Sequence, residues 1–333
     1  MRGATNRAEP NPLPRTMTDG LEIIRVPAVD ARLALRLTLS APGQTAAELE
    51  QHVSGFVEFA RRMGLDLSRQ WMVRRGGRAV CACTCIESPG RTVMVFLPDS
   101  GRVRAEGGAL DRLLAHVLAE YKGRDIRLAQ SLIDPDDHET RRALEAAGFF
   151  EIAELAYMEA DVLRTPRRFE PPRPKTPAVE WEMYSPARHA VFRDFIARTY
   201  EGSLDCPKLA GLRDMEDVIA GHKGAGLFDP ARWLLAVHDR RPAGCILLGE
   251  NPLRPAAEIV YMAVDPAMRG RGLGRVLLNE GFRVAHVAHL EKVTLAVDAA
   301  NVPAWQLYRS FGFTVTIRRR AMIRAISSTS DGS

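Results

Sequence analysis

Two segments 164 residues apart carry one pattern: "RRALEAAGFF" (Arg141–Phe150) lies over "WQLYRSFGFT" (Trp305–Thr314), setting Gly148 on Gly312 and Phe149 on Phe313. Upstream, "RAEGGA" (Arg104–Ala109) lies over "RGRGLG" (Arg269–Gly274) at an offset of 165, which implies one residue of insertion between the registers. A period of that size is a whole domain, far beyond the roughly 20–50 residues of a solenoid repeat. The chain is therefore expected to hold two copies of one α/β fold, and its 333 residues suit two cores of about 150 residues each.

The seam falls in "RTPRRFEPPRPKTPAVE" (Arg164–Glu180), where five prolines block helix and central strand and favour an extended connection. The expected division is a polar tail over 1–20, a first unit over 21–165, a linker over 166–178, a second unit over 179–326 and a tail over 327–333. Apolar periodicity predicts strands at 21–26, 70–73, 79–87 and 92–97, a helix over 109–121, a strand over 126–132, a helix over 139–147, and short strands at 149–153 and 156–161. The second unit repeats the order: a helix over 187–200, strands at 233–238, 243–248 and 257–264, a helix over 274–286, a strand over 292–297, a helix over 302–311, and strands at 313–316 and 319–326.

"VDPAMRGRGLGRVLL" (Val264–Leu278) runs from an apolar strand into a helix through three glycines and three arginines within Arg269–Arg275. Each glycine near a helix weakens it by roughly 1 kcal/mol relative to alanine, so the density needs a reason. A strand, a glycine loop and a helix start gather unpaired N–H groups at the positive end of the helix, a ready anion site. No lysine and hydroxyl pair follows Gly274, which excludes the P-loop, and the even spacing of Gly270, Gly272 and Gly274 does not fit G-x-G-x-x-G.

Arg269, Gly272 and Gly274 fit R/Q-x-x-G-x-G/A, and "AEIVYMAVDPAMRGRGLGRVLL" resembles the acetyl-CoA-binding motif of the GNAT acyltransferase superfamily from its strand onward. "LAVDAANVPAWQLYRSFGF" is similar to the family's other recurrent block, with Asn301, Ala304 and Tyr308 on a helix that ends at Gly312-Phe313. The resemblance implies an α/β (α+β) chain of two tandem GNAT folds, each a mixed, mostly antiparallel twisted sheet flanked by helices and splayed at the acyl-CoA site. It implies that the backbone of Arg269, Gly270, Arg271, Gly272, Leu273, Gly274 and Arg275 holds the pyrophosphate of acetyl-CoA, with the three arginines supplying charge. It further implies that Met262 and Val264 offer N–H groups to pantetheine and the thioester oxygen, with Met262 as oxyanion donor, and that Asn301 and Ala304 border the cofactor. Tyr308 matches the tyrosine that protonates the departing thiolate, and Glu258 the general base of the histone-acetylating branch, a job that water performs in other members.

The offsets map Tyr308 onto Leu144 and Glu258 onto Val93, neither of which moves a proton. Arg104, Gly107 and Ala109 keep the loose loop pattern, although Glu106 brings a negative charge. The first unit is thus expected to be silent and the second to transfer acetyl to a primary amine by direct attack in a ternary complex. The acceptor is expected along "RTYEGSLDCPKLAGLRDMEDVIAGH", where Glu201, Asp205, Asp214, Glu216 and Asp217 would attract a cation, with Glu201 and Asp205 as the substrate-binding candidates. A small-molecule amine is the expected partner, a protein amine the alternative, and a monomer or homodimer the expected state. A non-catalytic acyl-CoA sensor and a nucleic-acid-associated protein are the rival readings.

A net charge of +5 does not choose between nucleic acid and a phosphate-rich ligand; the loop favours the latter, and no nucleic acid is expected. "RRR" at Arg318–Arg320 is expected at a solvated sheet end. Cys81, Cys83 and Cys85 alternate on a strand and read as core residues; with no convergent ligand spacing, no metal is expected. Cys206 lacks a neighbouring base for an acyl-carrying role, and His222, His238, His286 and His289 show no paired ligand geometry. With no apolar stretch long enough for a membrane span and no leader pattern in the first twenty residues, a cytoplasmic protein is expected.

Overall fold

Strand β3 (Arg78–Ser88) shows how the pattern becomes structure: Cys81, Cys83 and Cys85 all point into one core and are almost wholly buried. The computed structural model describes residues 20–41, 43–98, 108–164 and 176–326. Before the seam, chain order is β1 (Leu21–Arg25), α1 (Ala31–Leu39), α2 (Ala46–Met63), β2 (Gln70–Arg75), β3, β4 (Thr92–Phe96), α3 (Ala109–Glu120), β5 (Leu128–Ile133), α4 (His138–Ala146) and β6 (Phe150–Asp161). After it come β7 (Glu180–Met183), α5 (His189–Thr199), α6 (Met215–Lys223), β8 (Leu227–His238), β9 (Arg241–Glu250), β10 (Ala256–Val264), α7 (Leu273–Val287), β11 (Lys292–Asp298), α8 (Val302–Ser310) and β12 (Thr314–Ala325).

The strands form one continuous sheet in the order β1-β2-β3-β4-β5-β12-β6-β11-β10-β9-β8-β7. Among the described strands only β4–β5 and β10–β11 are parallel. Each half surrenders its last strand: β6 pairs with β11 from Asp298↔Leu155 to Lys292↔Asp161, and β12 pairs with β5 from Arg320↔Ile133 to Ala325↔Leu128. A pseudo-two-fold axis therefore passes between β12 and β6, and the two halves share one hydrogen-bonded ladder. This exchange is the intramolecular form of a domain swap.

Each outer half is a sandwich of helices on a sheet. In the second half, α7 and α8 cover one face around Leu277, Leu278, Phe282 and Phe311, while α5 and α6 cover the other around Phe192, Phe195 and Ile219. Helix α7 forms because Leu273, Leu277, Leu278, Gly281, Phe282 and Ala285 make one buried stripe. In α3 and its C-cap the stripe is Ala109, Leu113, Leu114, Val117, Leu118 and Tyr121, the same positions minus 164.

Four expectations change. Helices α1, α2 and α6 and strand β7 were not anticipated, although the Thr45–Glu48 capping box and the left-handed Gly64 mark both ends of α2. The paired short strands at 149–153 and 156–161, and at 313–316 and 319–326, are single long strands, each bent by bulges where β6 meets β12. The arginines of β12 sit mid-sheet rather than at an end, paired as Arg318–Glu154 at 2.6 Å, Arg319–Asp134 at 3.7 Å and Arg320–Glu151 at 3.2 Å. Finally, the glycine loops align at 164 rather than 165: Gly108 caps α3 with φ +78°, as Gly272 caps α7 with φ +87°.

Candidate active site

Strands β10 and β11 run together from Ala256↔Lys292 to Ile259↔Leu295 and then part, while β10 stays on β9 as far as Val264↔Gly244. The cause is local: a bulge between Ile259 and Tyr261 shifts the register and turns the strand. Asp265 N–H donates to Ala243 O on β9 at 2.9 Å. Successive N–H groups alternate sides along a strand, so those of Met262 and Val264 face the opposite way, into the gap. The gap is a cleft of about 520 Å³, walled by β10 from Ile259 to Val264, the glycine loop, Leu295–Val297, and α8 residues Ala304, Leu307 and Tyr308.

Asp265 accepts from Ala267 N–H at 3.0 Å and starts a 3-10 turn over Pro266–Met268. Beyond it, Gly270 (φ +76°) and Gly272 (φ +87°) take left-handed conformations that fold the chain back onto the start of α7. A Cβ on Gly272 would stand 2.7 Å from Thr176 Oγ1, and one on Gly274 2.9 Å from Leu307 Cδ2. The Arg269 and Arg275 N–H groups go to the carbonyls of Pro266 and Gly272, leaving those of Gly270 to Gly274 as the loop's donors. A cradle of backbone donors at a helix start, with no side-chain cap on Gly272, fits a pyrophosphate.

The arginines divide. Arg269 spends its guanidinium on three carbonyls: Nη1 to Gly202 O and Nη2 to Thr199 O, both at 2.9 Å, and Nε to Val264 O at 3.3 Å. Arg275 lies over the Phe311 ring at 5.4 Å, and Arg271 is exposed. Of the three arginines expected to supply charge, Arg269 is thus tied down as a staple between elements.

Asn301 caps α8, its side chain accepting from Ala304 N–H at 3.3 Å. Two turns on, Tyr308 is buried against Phe313 and lines the cleft. Burial, reinforced by the Asp205 carboxylate, pushes its phenol far above the ordinary range, which makes its phenolate costlier than that of a free tyrosine. Glu258 stands apart from the cleft lining, on the stretch of β10 still paired with Thr294. Its neighbours Ala257 and Ile259 join the core beneath α7, so Glu258 faces the α5–α6 side. Burial raises its carboxyl and Arg254 opposes the shift; Tyr157, reaching over from exchanged strand β6, is pushed up to about 12 by burial and by Glu258.

Among the expected acceptor acids, only Asp205 lines the cleft. Glu201 is exposed and outside it. Asp214 and Asp217 are held at 2.6 Å by Arg91, from the β3–β4 hairpin of the first half, and Glu216 is held by His189 and Arg193. Asp205 takes the Asp298 N–H at 3.0 Å, and its carboxyl is raised chiefly by burial. Cys206 is forced to φ +45°, and burial, then Asp205 and Asp298, push its thiol up to about 12. A thiol that resists ionisation is a poor acyl carrier. His222 packs on Tyr261 with ring centroids 5.0 Å apart, and burial, then Arg213, pull its imidazole down to about 4. Thr199, Gly202 and Leu307, which line the cleft, and Thr176 and Asp298, which stand against its loop and turn, escaped the sequence reading, because nothing local marks a residue brought there only by the fold.

In the first half, Leu144 fills Tyr308's place and is wholly buried. The parallel register Met94↔Gln130 beside Glu258↔Thr294 puts Met94, not Val93, in the place of Glu258. Methionine moves no proton either. Arg104 and Gly107 lie outside the described residues.

A strand pair that splays beside a glycine-rich helix start, on a scaffold repeated about a two-fold, defines the class: a tandem fold of the GNAT type. Comparison with known proteins agrees. The acetyltransferase (GNAT) family pattern matches residues 192–313. A mycothiol acetyltransferase from Clavibacter michiganensis is 31% identical over 244 residues, 71% of this chain and 74% of that enzyme. Another, from Thermomonospora curvata, is 42% identical over 87 residues, which span 26% of this chain and 29% of that enzyme. In structure, a GCN5-related N-acetyltransferase from Sphaerobacter thermophilus aligns over 95% of this chain and 99% of its own, with TM-score 0.59 and 19% identity. A tandem GNAT protein from the clavulanic acid biosynthesis pathway aligns over 93% and 100%, with TM-score 0.52 and 20% identity. The chain belongs to the GNAT acetyltransferase family.

Proposed function

We propose that this chain is an acetyl-CoA-dependent N-acetyltransferase that works in the cleft of its second half and acetylates a primary amine by direct attack in a ternary complex. The observation that carries the reading is the splay: two free strand N–H groups and a cradle of loop N–H groups open into one cleft. In this reading the N–H groups of Gly270 to Gly274 bind the pyrophosphate, and Val264 N–H orients the pantetheine arm. Met262 N–H is aimed where negative charge gathers as the amine nitrogen bonds to the thioester carbon. The carbon–sulfur bond then breaks, and Tyr308, a phenol on the cleft wall, gives its proton to the sulfur. Before the attack the ammonium loses one proton through water toward Glu258, which is set back from the cleft, and the second proton, shed once the N–C bond has formed, returns through water to Tyr308. Asp205 supplies the negative wall that receives the cationic amine.

The mycothiol acetyltransferase relatives favour a small-molecule amine over a protein, and the first half serves as a silent partner that shapes the cleft. The free cysteines suit the cytoplasm as the working compartment, the scheme uses no metal, and it needs no copy beyond a monomer or homodimer. The test is calorimetric titration with acetyl-CoA, followed by CoA release with a panel of small primary amines. One micromolar site and turnover on at least one amine are expected. Binding without turnover on any amine would leave an acyl-CoA sensor, and no binding would remove the reading altogether.

A further inference from the structure

The turn after α5, residues Gly202 to Cys206, is exposed at Gly202 and Leu204 and packs on a core through Cys206, and hydrogen bonds hold it from two sides. On one side Arg269, the first residue of the glycine loop, donates to Thr199 O and Gly202 O at the end of α5 and to Val264 O on β10. Thr199 O is one of the carbonyls that a helix C-terminus leaves unpaired, and a rigid guanidinium fork satisfies it with favourable charge. On the other side Cys206 N–H donates to Asp298 Oδ2 at 3.2 Å, Asp298 N–H donates to Asp205 Oδ1 at 3.0 Å, and the Asn301 side chain bonds Asp205. Asp298 and Asn301 lead directly into α8. The turn is therefore sewn to the two elements that flank the cleft, the glycine loop and the start of α8.

We propose that Arg269 is a positioning residue for the acceptor: it passes the seating of acetyl-CoA on the glycine loop to the Gly202–Cys206 turn, fixing Asp205 at the wall where the amine lies. The proposal rests on the reading of that loop as the acetyl-CoA site. Its physical basis is the loop's freedom: Gly270 and Gly272 allow many backbone states, and an anion on their N–H groups selects one. Because Arg269 opens the loop, selecting its backbone state also orients the guanidinium that holds the turn. Amine binding is then favoured once the cofactor is in place, a coupling of about tenfold.

The experiment is amide hydrogen exchange of the full chain with and without acetyl-CoA, in wild type, Arg269→Ala and Arg269→Gln, with acetyl-CoA affinity measured by calorimetry on each. In wild type, acetyl-CoA is expected to slow exchange in both 270–275 and 200–206. In Arg269→Ala, protection at 270–275 should persist, protection at 200–206 should vanish, and affinity should stay within about threefold. Arg269→Gln keeps two donors without the charge and should restore part of the protection at 200–206; it also carries the test if the alanine variant does not fold. Equal protection at 200–206 in all three proteins would overturn the proposal. So would parallel loss of acetyl-CoA affinity in both variants by tenfold or more, which would assign the guanidinium to phosphate instead. Wild type that fails to bind acetyl-CoA would sink the underlying reading before any variant is made.

Discussion

The two halves present one scaffold with opposite contents at the same points. At the tip of α4 the first half places Leu144, sealed in the core with Leu113 and Val117; at the equivalent point of α8 the second half places Tyr308 on the cleft. Where β10 carries Glu258, β4 carries Met94. Gly274, which lets α7 press close to Leu307, has the buried Leu110 as its counterpart at the common offset. The first half thus fills with apolar side chains the positions where the second holds groups able to move protons. A buried polar group without a partner costs free energy, so a copy released from catalysis gains stability by discarding it. In the proposed reading the first half acts mechanically: β6 completes the second half's sheet, and the Arg91 hairpin grips α6.

The largest effect expected from probing this asymmetry lies in the loops. Gly272→Trp should weaken acetyl-CoA binding by more than about 100-fold, whereas Gly108→Trp should leave affinity within about threefold and cost only about 1–2 kcal/mol of stability for its left-handed backbone. Calorimetry on both variants decides, and equal losses would mean that both loops bind. Next come the helix positions: Tyr308→Phe should lower kcat by about 100-fold with little change in melting temperature. Leu144→Ala should do the reverse, costing about 2–5 kcal/mol in denaturant unfolding while kcat of the folded enzyme holds.

A smaller effect is expected at the clasp. Gly90 has φ +83°, and a Cβ there would stand 2.1 Å from Asp217 O, so Gly90→Ala should lift the hairpin off α6. The cost should be about 2 kcal/mol, visible in urea unfolding, and an unchanged midpoint would show that the grip adds nothing. The smallest concerns acid. His222 is buried neutral with its pKa pulled from 6.5 to about 4, so its contribution to stability is complete above about pH 6.5 and is lost as pH falls toward 4. Between pH 7 and pH 5 this amounts to about 1–2 kcal/mol, and His222→Leu should flatten that part of the pH–stability curve.

Much of this was readable in the chain. The repeat announced two copies, the glycine loop announced the helix start and its donors, and the alternating cysteines announced a buried strand face, because each signal depends on neighbours in sequence. Helix α2 was also readable, from the Thr45–Glu48 box, and was missed for want of a strong apolar stripe: only Val53 and Ala60 are buried along its eighteen residues. The acceptor acids misled for a different reason. Asp214 and Asp217 form a carboxylate cluster in sequence, yet their partner Arg91 lies more than a hundred residues away.

By itself the sequence determined the fold class, the duplication, the strand–loop–helix unit and which copy keeps Tyr308, since local propensity, periodicity and residue identity are properties of short windows. Only the tertiary structure decided that β6 and β12 change places, that Arg269 staples the turn after α5, and that Asp205 alone among the acids reaches the cleft. Strand exchange is invisible in a window because a strand's alternation is the same whichever neighbour it pairs with. A charge likewise shows its role only when the fold supplies its partner.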